Sequence, residues 1–274
     1  MKLTRPFNQL TFLQLIGVFL FCIDSGLNRK TVQSSTSVDS IGVRLLILGD
    51  SNDRYIVEEW CQGHGHGRKQ TNEFSEAIGC YDNSRKNAVF MIGFTAFKLL
   101  AFSFDKPNCS HSVDKALNTY FASIAQAAAK LLGGPPNALL LQSLFHDLEY
   151  TYWLSPMMVH GMAASDELWF EWISQWLIVV EASIRAANLN FFEPRWVGWR
   201  NSNFVLQGDH DGWLLLASRI PSANAEASRM AHKMEIQLVN FEGFSRLDDL
   251  ADYVHPKRSI HRKFILDLMK NLTL

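Results

Sequence analysis

The sequence predicts a three-layer α/β/α domain in which helices cover both faces of a mostly parallel sheet of about five strands. Two observations support this prediction. Short apolar segments alternate along the chain with longer segments of helical period. The short segments are apolar at nearly every position, which is typical of strands buried on both faces and therefore of a parallel sheet. The 274 residues are 47% hydrophobic, which is enough for one sizeable core.

Each element has its own signal. The apolar run at 43–48 is followed directly by a helical segment, and Gly133-Gly134-Pro135-Pro136 is expected to end a later helix. Trp169, Trp172 and Trp176 recur at helical spacing, which favours core packing over a sugar-binding platform. The strands are predicted at 43–48, 88–92, 138–142, 196–199 and 236–240, and the helices at 52–60, 113–132, 168–187, 223–233 and 258–271.

The N-terminus is typical of a secretory signal. Lys2 and Arg5 precede an apolar run over residues 10–23, and counted from Phe7 the run is long enough for an uncleaved anchor. Either form sends the chain into the secretory pathway, as a secreted protein or as a single-pass type II membrane protein with its domain in the ER or Golgi lumen. The expected division is a signal peptide or signal anchor at 1–26, a polar stalk at 27–42 and the folded domain at 43–274.

The cysteines and glycosylation signals agree with an oxidising compartment. Beyond the N-terminal segment the chain has Cys61, Cys80 and Cys109, of which two are expected to pair. Cys61 with Cys80 is the first candidate because this bridge closes a loop behind the first helix, but the sequence alone leaves the pairing open. Asn108 and Asn271 lie in N-x-S/T tripeptides and are candidate glycosylation sites.

Charge and histidine spacing argue against two classes of function. The net charge is −1 and the pI about 6.8, so the composition does not favour a nucleic acid as partner. His64 and His66 alternate with glycines, but no acidic residue or cysteine is spaced to complete a metal site. We therefore expect no metal and no organic cofactor.

Two segments at opposite ends of the domain carry the residue types of a serine hydrolase. Ser51 follows the first strand, where the next helix offers its free N–H groups to a developing oxyanion. The spacing of Asp252 and His255 lets the carboxylate hold one ring nitrogen while the other faces Ser51. A serine hydroxyl needs an imidazole as base, and the imidazole needs a carboxylate to orient it. The alternative is that Ser51 only caps the helix.

Gly49-Asp50-Ser51 and Asp252-x-x-His255-Pro256 resemble the first and last sequence blocks of SGNH/GDSL-type hydrolases. More narrowly, Gly49-Asp50-Ser51-x-x-Arg54 is similar to the PC-Esterase branch, which includes trichome-birefringence-like polysaccharide O-acetyltransferases and sialate O-acetyltransferases. Segments 142–148 and 199–202 resemble the S-x-x-W-D-L and W-R-T/N-x segments of that branch. The resemblance spans roughly residues 43–265 and implies an SGNH-hydrolase-like, flavodoxin-like fold.

By this resemblance Ser51 is the nucleophile, His255 the general base and Asp252 its orienting partner. The oxyanion hole would combine the Ser51 N–H with donors from the middle blocks, but the G-x-N-D block is absent and His146 stands where its asparagine would be. Asp147 matches the final Asp of that block and is expected to play a structural role. The resemblance also gives candidates for the oxyanion hole and the substrate-lining wall: Gly93, Ser143, His146, Arg54, Trp199, Arg200 and Asn201.

The function implied is a secretory-pathway serine esterase or O-acyltransferase that acts on O-acetyl esters of a carbohydrate or glycoconjugate. Because the usual asparagine is missing, a catalytically silent, membrane-tethered carbohydrate-binding protein of the same fold is the alternative. A third hypothesis makes the apolar residues 87–104 a membrane span. We favour a buried strand in that segment, because a span would separate Ser51 from His255.

Overall fold

A computed structural model of the chain describes residues 42–64, 66–70, 77–82, 84, 86–97, 113–190, 194–203, 205–206, 212–244 and 246–273. The predicted signal or anchor, the stalk apart from its last residue, and the residues Asn108 and Cys109 lie outside this part of the chain. The described residues form a sheet with helices on both faces, which confirms the predicted architecture.

The sheet consists of seven described strands: β1 (Arg44–Gly49), β2 (His66–Gln70), β3 (Ile78–Tyr81), β4 (Ala88–Gly93), β5 (Ala138–Leu141), β6 (Trp196–Arg200) and β7 (Gln237–Val239). Their order across the sheet is β2-β3-β4-β1-β5-β6-β7. The strands from β4 to β7 in this order are parallel, and they are the five predicted from the sequence. Numbered by themselves along the chain, they lie in the flavodoxin-like order 2-1-3-4-5.

The antiparallel strands β2 and β3 lengthen the sheet beyond β4 and were not predicted. The sequence of β2 is polar, and β3 has only four residues. Neither has the apolar run by which a buried strand is recognised. Strand β3 forms because β4 otherwise presents an unpaired edge, which β3 covers from Ile78 opposite Met91 to Tyr81 opposite Ala88.

Strand β1 leads into Ser51 and lies between β4 and β5. Leu46 and Leu48 pack into the hydrophobic cluster on one face of the sheet, and Leu45 and Ile47 into the cluster on the other face. All four side chains are fully buried. Alternation along the strand therefore sends apolar residues to both faces, which explains why the run is apolar at every position.

Seven described helices surround the sheet: α1 (Ser51–His64), α2 (Val113–Leu132), α3 (Phe145–Leu154), α4 (Pro156–Ala164), α5 (Asp166–Asn190), α6 (Ile220–Lys233) and α7 (Arg258–Leu272). Helices α1 and α7 pack against each other on one face, while α2, α5 and α6 contribute to the core on the other. A 3₁₀ helix over Gly212–Arg219 leads into α6. Helices α3 and α4 were not predicted from the sequence, because their apolar residues show no clear helical period.

The predicted stripe of tryptophans on α5 belongs to the core. Trp169, Trp172 and Trp176 are at most 1% exposed. Their rings stack in series, with centroids 5.5 Å apart for the first pair and 6.0 Å for the second. Trp176 also meets Trp199 of β6 edge-on at 5.9 Å. Because the rings are buried, they offer no platform on which a sugar could stack.

The apolar segment 87–104 begins as a strand of the sheet. Ala88–Gly93 is β4, which pairs with β1 on one side and β3 on the other, so this part is not a membrane helix. That pairing corrects the third hypothesis for the residues it covers, whereas residues 98–104 lie outside the described part of the chain. Among the helices of the described ranges, none has both the length and the hydropathy needed to cross a membrane.

Candidate active site

Ser51 is the first residue of α1 and lies just beyond the carboxyl end of β1. The intervening Asp50 organises the turn, because its Oδ1 accepts the Asn52 N–H at 2.9 Å and its carbonyl accepts the Arg54 N–H at 3.1 Å. The first N–H groups of a helix lack intrahelical acceptors and mark its positive end. The turn therefore presents the Ser51 hydroxyl beside amide donors that can stabilise an oxyanion.

The structure brings Ser51, His255 and Asp252 together. Ser51 Oγ lies 2.8 Å from His255 Nε2, although 204 positions separate the two residues in the chain. His255 Nδ1 lies 2.9 Å from Asp252 Oδ2 and 3.1 Å from Oδ1. An ionised carboxylate only accepts, so this arrangement requires the ring proton on Nδ1 and leaves Nε2 to accept from the serine hydroxyl. The hydrogen bonds have the order needed for nucleophilic catalysis.

The turn between Ala251 and His255 holds Asp252 in place. Asp252 Oδ1 accepts the backbone N–H groups of Val254 at 2.9 Å and His255 at 2.8 Å, and the Ala251 N–H donates to the His255 carbonyl at 2.8 Å. Partial burial acts to raise the pKa of Asp252. The N–H donors and the His255 ring outweigh burial, so the pKa of this carboxyl lies below its ordinary value. Asp252 therefore remains an anion that orients the ring, although its side chain is 54% exposed.

A buried ion pair lies behind the Ser51 turn. Arg200, at the end of β6, donates from Nε to Asp53 Oδ1 at 2.7 Å and from Nη2 to Asp53 Oδ2 at 2.8 Å. Nη2 also lies 3.3 Å from Asp50 Oδ1, and Asp53 Oδ2 accepts the Asp50 N–H at 2.9 Å. A side chain on Gly49 would overlap with the Asp53 carboxylate, which explains a glycine before this turn. The pair thus braces the residues on both sides of Ser51.

The opposite charges of Arg200 and Asp53 counteract the effect of burial on the pKa of each group. Burial acts to lower the pKa of Arg200, but the carboxylates of Asp53 and Asp50 outweigh it and raise that pKa, so Arg200 stays a cation. Burial also raises the pKa of Asp53, against the opposing attraction of Arg200. Asp53 was not among the predicted site residues. Its only signal was an acidic residue in the first turn of a helix, which is common for capping reasons alone.

Three residues expected to line the site are buried, and their side chains are bound or packed within the fold. Arg200 is 0% exposed, as it is bound to Asp53, and Trp199 is 2% exposed, as it packs against Trp176. Ser143 is 1% exposed, and its hydroxyl donates to Asp147.

Asn201 is also buried, and its side chain is used within the fold. Its Oδ1 accepts the backbone N–H groups of Phe241 at 2.6 Å and Glu242 at 3.1 Å, and its Nδ2 donates to Asn240 at 3.2 Å. These contacts fix the chain after β7. Asn201 is therefore an anchor of that turn.

Asp147 joins the two loops that flank the end of β1. It is fully buried and accepts hydrogen bonds from the Ser143 hydroxyl, the Phe97 N–H at 2.8 Å and the Trp176 indole at 3.0 Å. Burial raises the pKa of Asp147 to about 6, although these donors and His146 favour the anion. The residue therefore has the structural role expected from the sequence, which is to connect the loop after β4 to the start of α3.

The remaining oxyanion candidates, Gly93 and His146, lie at the carboxyl edge of the parallel strands. Gly93 ends β4 opposite Gly49, and the next N–H, of Phe94, donates to the Gly49 carbonyl at 2.8 Å. His146, in the first turn of α3, is one-third exposed, and its Nδ1 lies 2.8 Å from Glu149. Gln142, which was not among the predicted site residues, follows β5 directly. It is buried, and its Nε2 donates to the Ser202 hydroxyl at 3.1 Å.

Two further predictions from the sequence concern metals and cross-links. Cys61 of α1 and Cys80 of β3 form a disulfide with Cα atoms 5.7 Å apart, the pairing considered first. His64 of the glycine-rich segment stacks on Trp60 with centroids 4.0 Å apart. Where the structure describes side chains, no group of three or more His, Cys, Asp or Glu residues could hold a metal. Asn271, a candidate glycosylation site, is exposed near the end of α7.

No protein-family profile matches the sequence, and no curated protein does. Among solved structures, an acetylxylan esterase from Geobacillus stearothermophilus is 14% identical, with 86% of this chain and 96% of that chain covered and a TM-score of 0.43. An aryl esterase from M. smegmatis is 14% identical over 84% of this chain and 98% of that one, with a TM-score of 0.44. A GDSL-like lipase from Bacteroides thetaiotaomicron is 13% identical over 83% and 88%, with a TM-score of 0.41. Similarities of this size leave the activity to be argued from the site itself.

Proposed function

We propose that this protein is a serine esterase or O-acyltransferase of the SGNH type, with Ser51 as nucleophile. The observation that supports the proposal is the chain of hydrogen bonds from Ser51 Oγ to His255 Nε2 at 2.8 Å and from His255 Nδ1 to Asp252 at 2.9 Å. A serine that only caps a helix needs no imidazole at hydrogen-bonding distance. The position just beyond the carboxyl end of β1 is also where α/β sheets bind their ligands.

The proposed reaction has two steps with the same proton path. Ser51 Oγ attacks the acyl carbonyl while its proton moves to His255 Nε2, and the leaving alcohol takes that proton as its bond to the acyl carbon breaks. The acyl group is then bound to Ser51. Water or a sugar hydroxyl attacks this ester, His255 accepts its proton, and the proton returns to Ser51 Oγ as the serine leaves. Asp252 stabilises the imidazolium that forms in each step.

The oxyanion would be stabilised by backbone donors rather than by an asparagine side chain. Ser51 begins α1, so its N–H lies at the positive end of that helix. Gly93 opposite Gly49 is the second candidate, because it ends the neighbouring strand. Losing one oxyanion donor costs about 2.7–4 kcal/mol of barrier, so a site without the usual asparagine would be slow unless the backbone replaces it.

A more specific proposal concerns the substrate class and the cellular compartment. The Gly49-Asp50-Ser51-x-x-Arg54 segment resembles the PC-Esterase branch, which includes polysaccharide and sialate O-acetyltransferases, and we extend O-acetylated carbohydrates as a substrate class to this chain. The N-terminal signal or anchor, the sequons at Asn108 and Asn271 and the Cys61–Cys80 disulfide support a domain in the secretory lumen or outside the cell. Hydrolase and transferase differ only in whether water or a sugar hydroxyl takes the acyl group.

The test is hydrolysis of p-nitrophenyl acetate by the wild type and by Ser51→Ala. We expect the variant to lose at least about 10³-fold in kcat, because residual activity would come from the oxyanion donors alone. Ser174→Ala, which removes an exposed hydroxyl on α5, is the matched control and should keep wild-type activity. A Ser51→Ala protein that cleaves the ester at the wild-type rate would refute the mechanism.

The second candidate function is a catalytically silent carbohydrate-binding protein. It is favoured by the loss of side-chain oxyanion donors, since the asparagine is missing and the Ser143 hydroxyl is bound to Asp147. A fluorophosphonate probe separates the two functions. Labelling that depends on Ser51 favours the enzyme, whereas folded protein that is not labelled favours the binding protein.

A further inference from the structure

The turn of α1 that begins at Ser51 also carries Arg54 and Tyr55. Residues three and four apart on a helix share a face, with Cβ atoms about 5–6 Å apart. Arg54 is exposed, and its guanidinium carbon lies 5.2 Å from the centroid of the Tyr55 ring. The Tyr55 ring in turn meets the His255 ring edge-on at 5.0 Å. A cation therefore borders the proposed nucleophile and base.

The neighbouring cations are neutralised, whereas Arg54 is not. Arg200 is buried against Asp53 and Asp50. Arg258 lies 4.0 Å from the Tyr55 centroid, and its Nη1 is 2.7 Å from Glu58. Within the part of the chain that the structure describes, Arg54 forms no ion pair with a carboxylate. Its charge is thus available to a ligand at the mouth of the site.

Asp252, the acidic residue of the triad, does not neutralise the charge of Arg54. Asp252 is already bound by the His255 ring and by the N–H groups of Val254 and His255. On the buried side of Tyr55, the His261 ring lies 5.6 Å away. Burial, followed by the charges of Arg200, Arg258 and His255, lowers the pKa of His261 to about 3. Near neutral pH the His261 ring is therefore uncharged, and the unpaired charge on this turn of α1 is that of Arg54.

We propose that Arg54 binds an anionic group of the substrate, so that the natural ester carries a carboxylate or a similar acidic group close to its acyl group. This inference rests on the proposed esterase function and adds the charge of the substrate. A guanidinium presents a planar fork of N–H donors that matches a carboxylate. Because Arg54 is exposed, its contribution should be modest, about threefold to fivefold in kcat/KM.

The experiment compares two acetyl esters that differ in charge, 4-acetoxybenzoate and its neutral methyl ester, near neutral pH. The enzymes are the wild type, Arg54→Ala, Arg54→Lys and Arg185→Ala. Arg185 lies on α5 and is 55% exposed, so its removal changes the net charge equally on another helix. Arg54→Ala should lower kcat/KM for the anionic ester about threefold to fivefold and change that for the neutral ester by less than about twofold.

The other variants and the salt dependence complete the test. Arg54→Lys should keep part of the preference because the charge remains, and Arg185→Ala should keep all of it. The preference of the wild type should shrink as ionic strength rises, since exposed charges are screened. Equal effects of Arg54→Ala on both esters, or none, would overturn the inference while Ser51-dependent turnover stands. Failure of the wild type to cleave either ester would instead count against the esterase function.

Discussion

Arg200 donates two hydrogen bonds to Asp53, at 2.7 and 2.8 Å, directly behind the turn that carries Ser51. Both side chains are 0% exposed. Arg200 ends β6 and Asp53 lies in the first turn of α1, so the pair connects two elements that are distant in the chain. Because Asp53 also accepts the Asp50 N–H, the contact reaches the backbone beside the proposed nucleophile.

Replacing Arg200 should lower the free energy of unfolding. Arg200→Met leaves the carboxylates of Asp53 and Asp50 buried without a cation, and breaking a buried pair in this way costs about 3–5 kcal/mol. The measurement is the free energy of unfolding in urea. The double variant Asp53→Leu with Arg200→Met removes the stranded charge of Asp53 and should recover part of the loss. Equal stability of Arg200→Met and wild type would contradict a structural role for the pair.

Replacing Asp252 should lower kcat far more than it lowers the free energy of unfolding. Removing its carboxylate by Asp252→Ala leaves the His255 ring free to adopt the wrong tautomer, so kcat should fall about 10²–10⁴-fold. The free energy of unfolding should fall by only about 1 kcal/mol, the usual cost of losing a side-chain cap on backbone N–H groups, because the side chain is 54% exposed. Asp248→Ala, an exposed aspartate just before this turn, is the control and should retain activity. Comparable losses in both variants would show that the turn, not the triad, was disturbed.

Asp147 should make stability depend on pH. Its pKa is raised to about 6 in the folded protein, against 3.8 as the ordinary value, so folding favours its protonated form. Its contribution to stability is fully present below about pH 4 and is lost as pH rises through about 6, a difference on the order of 3 kcal/mol. Asp147→Asn cannot titrate. The difference in unfolding free energy between wild type and variant should therefore change between pH 4 and 6 and stay constant above about pH 7.

The Cys61–Cys80 disulfide should stabilise the junction of α1 and β3. It closes a loop with a sequence separation of 19, for which the chain-entropy model gives about 3 kcal/mol. The double variant Cys61→Ala with Cys80→Ala should lose about that much free energy of unfolding. A reducing agent should destabilise the wild type towards the level of the variant and leave the variant unchanged. A wild type insensitive to reductant under unfolding conditions would contradict the disulfide.

Much of the fold could be predicted from local pattern. The run Leu45–Leu48 is apolar throughout because it lies in the middle of a parallel sheet, and the same signal located the other four parallel strands. Strands β2 and β3 gave no such signal, since they form by pairing with an edge rather than by burying an apolar run. Helices α3 and α4 lack a clear period because apolar residues also occupy their exposed sides, as Trp153, Leu154 and Met157 do.

The candidate site, like the fold, could be predicted only in part. Ser51, Asp252 and His255 could be chosen from the sequence because each lies in a short segment whose residue types and spacing suit the chemistry. Arg200, Trp199 and Ser143 were expected at the surface of the site, yet Arg200 faces Asp53, Trp199 faces Trp176 and Ser143 faces Asp147. Local sequence determines which face of its own element a residue occupies. Only the tertiary structure decides what packs against that face, because those partners come from distant parts of the chain.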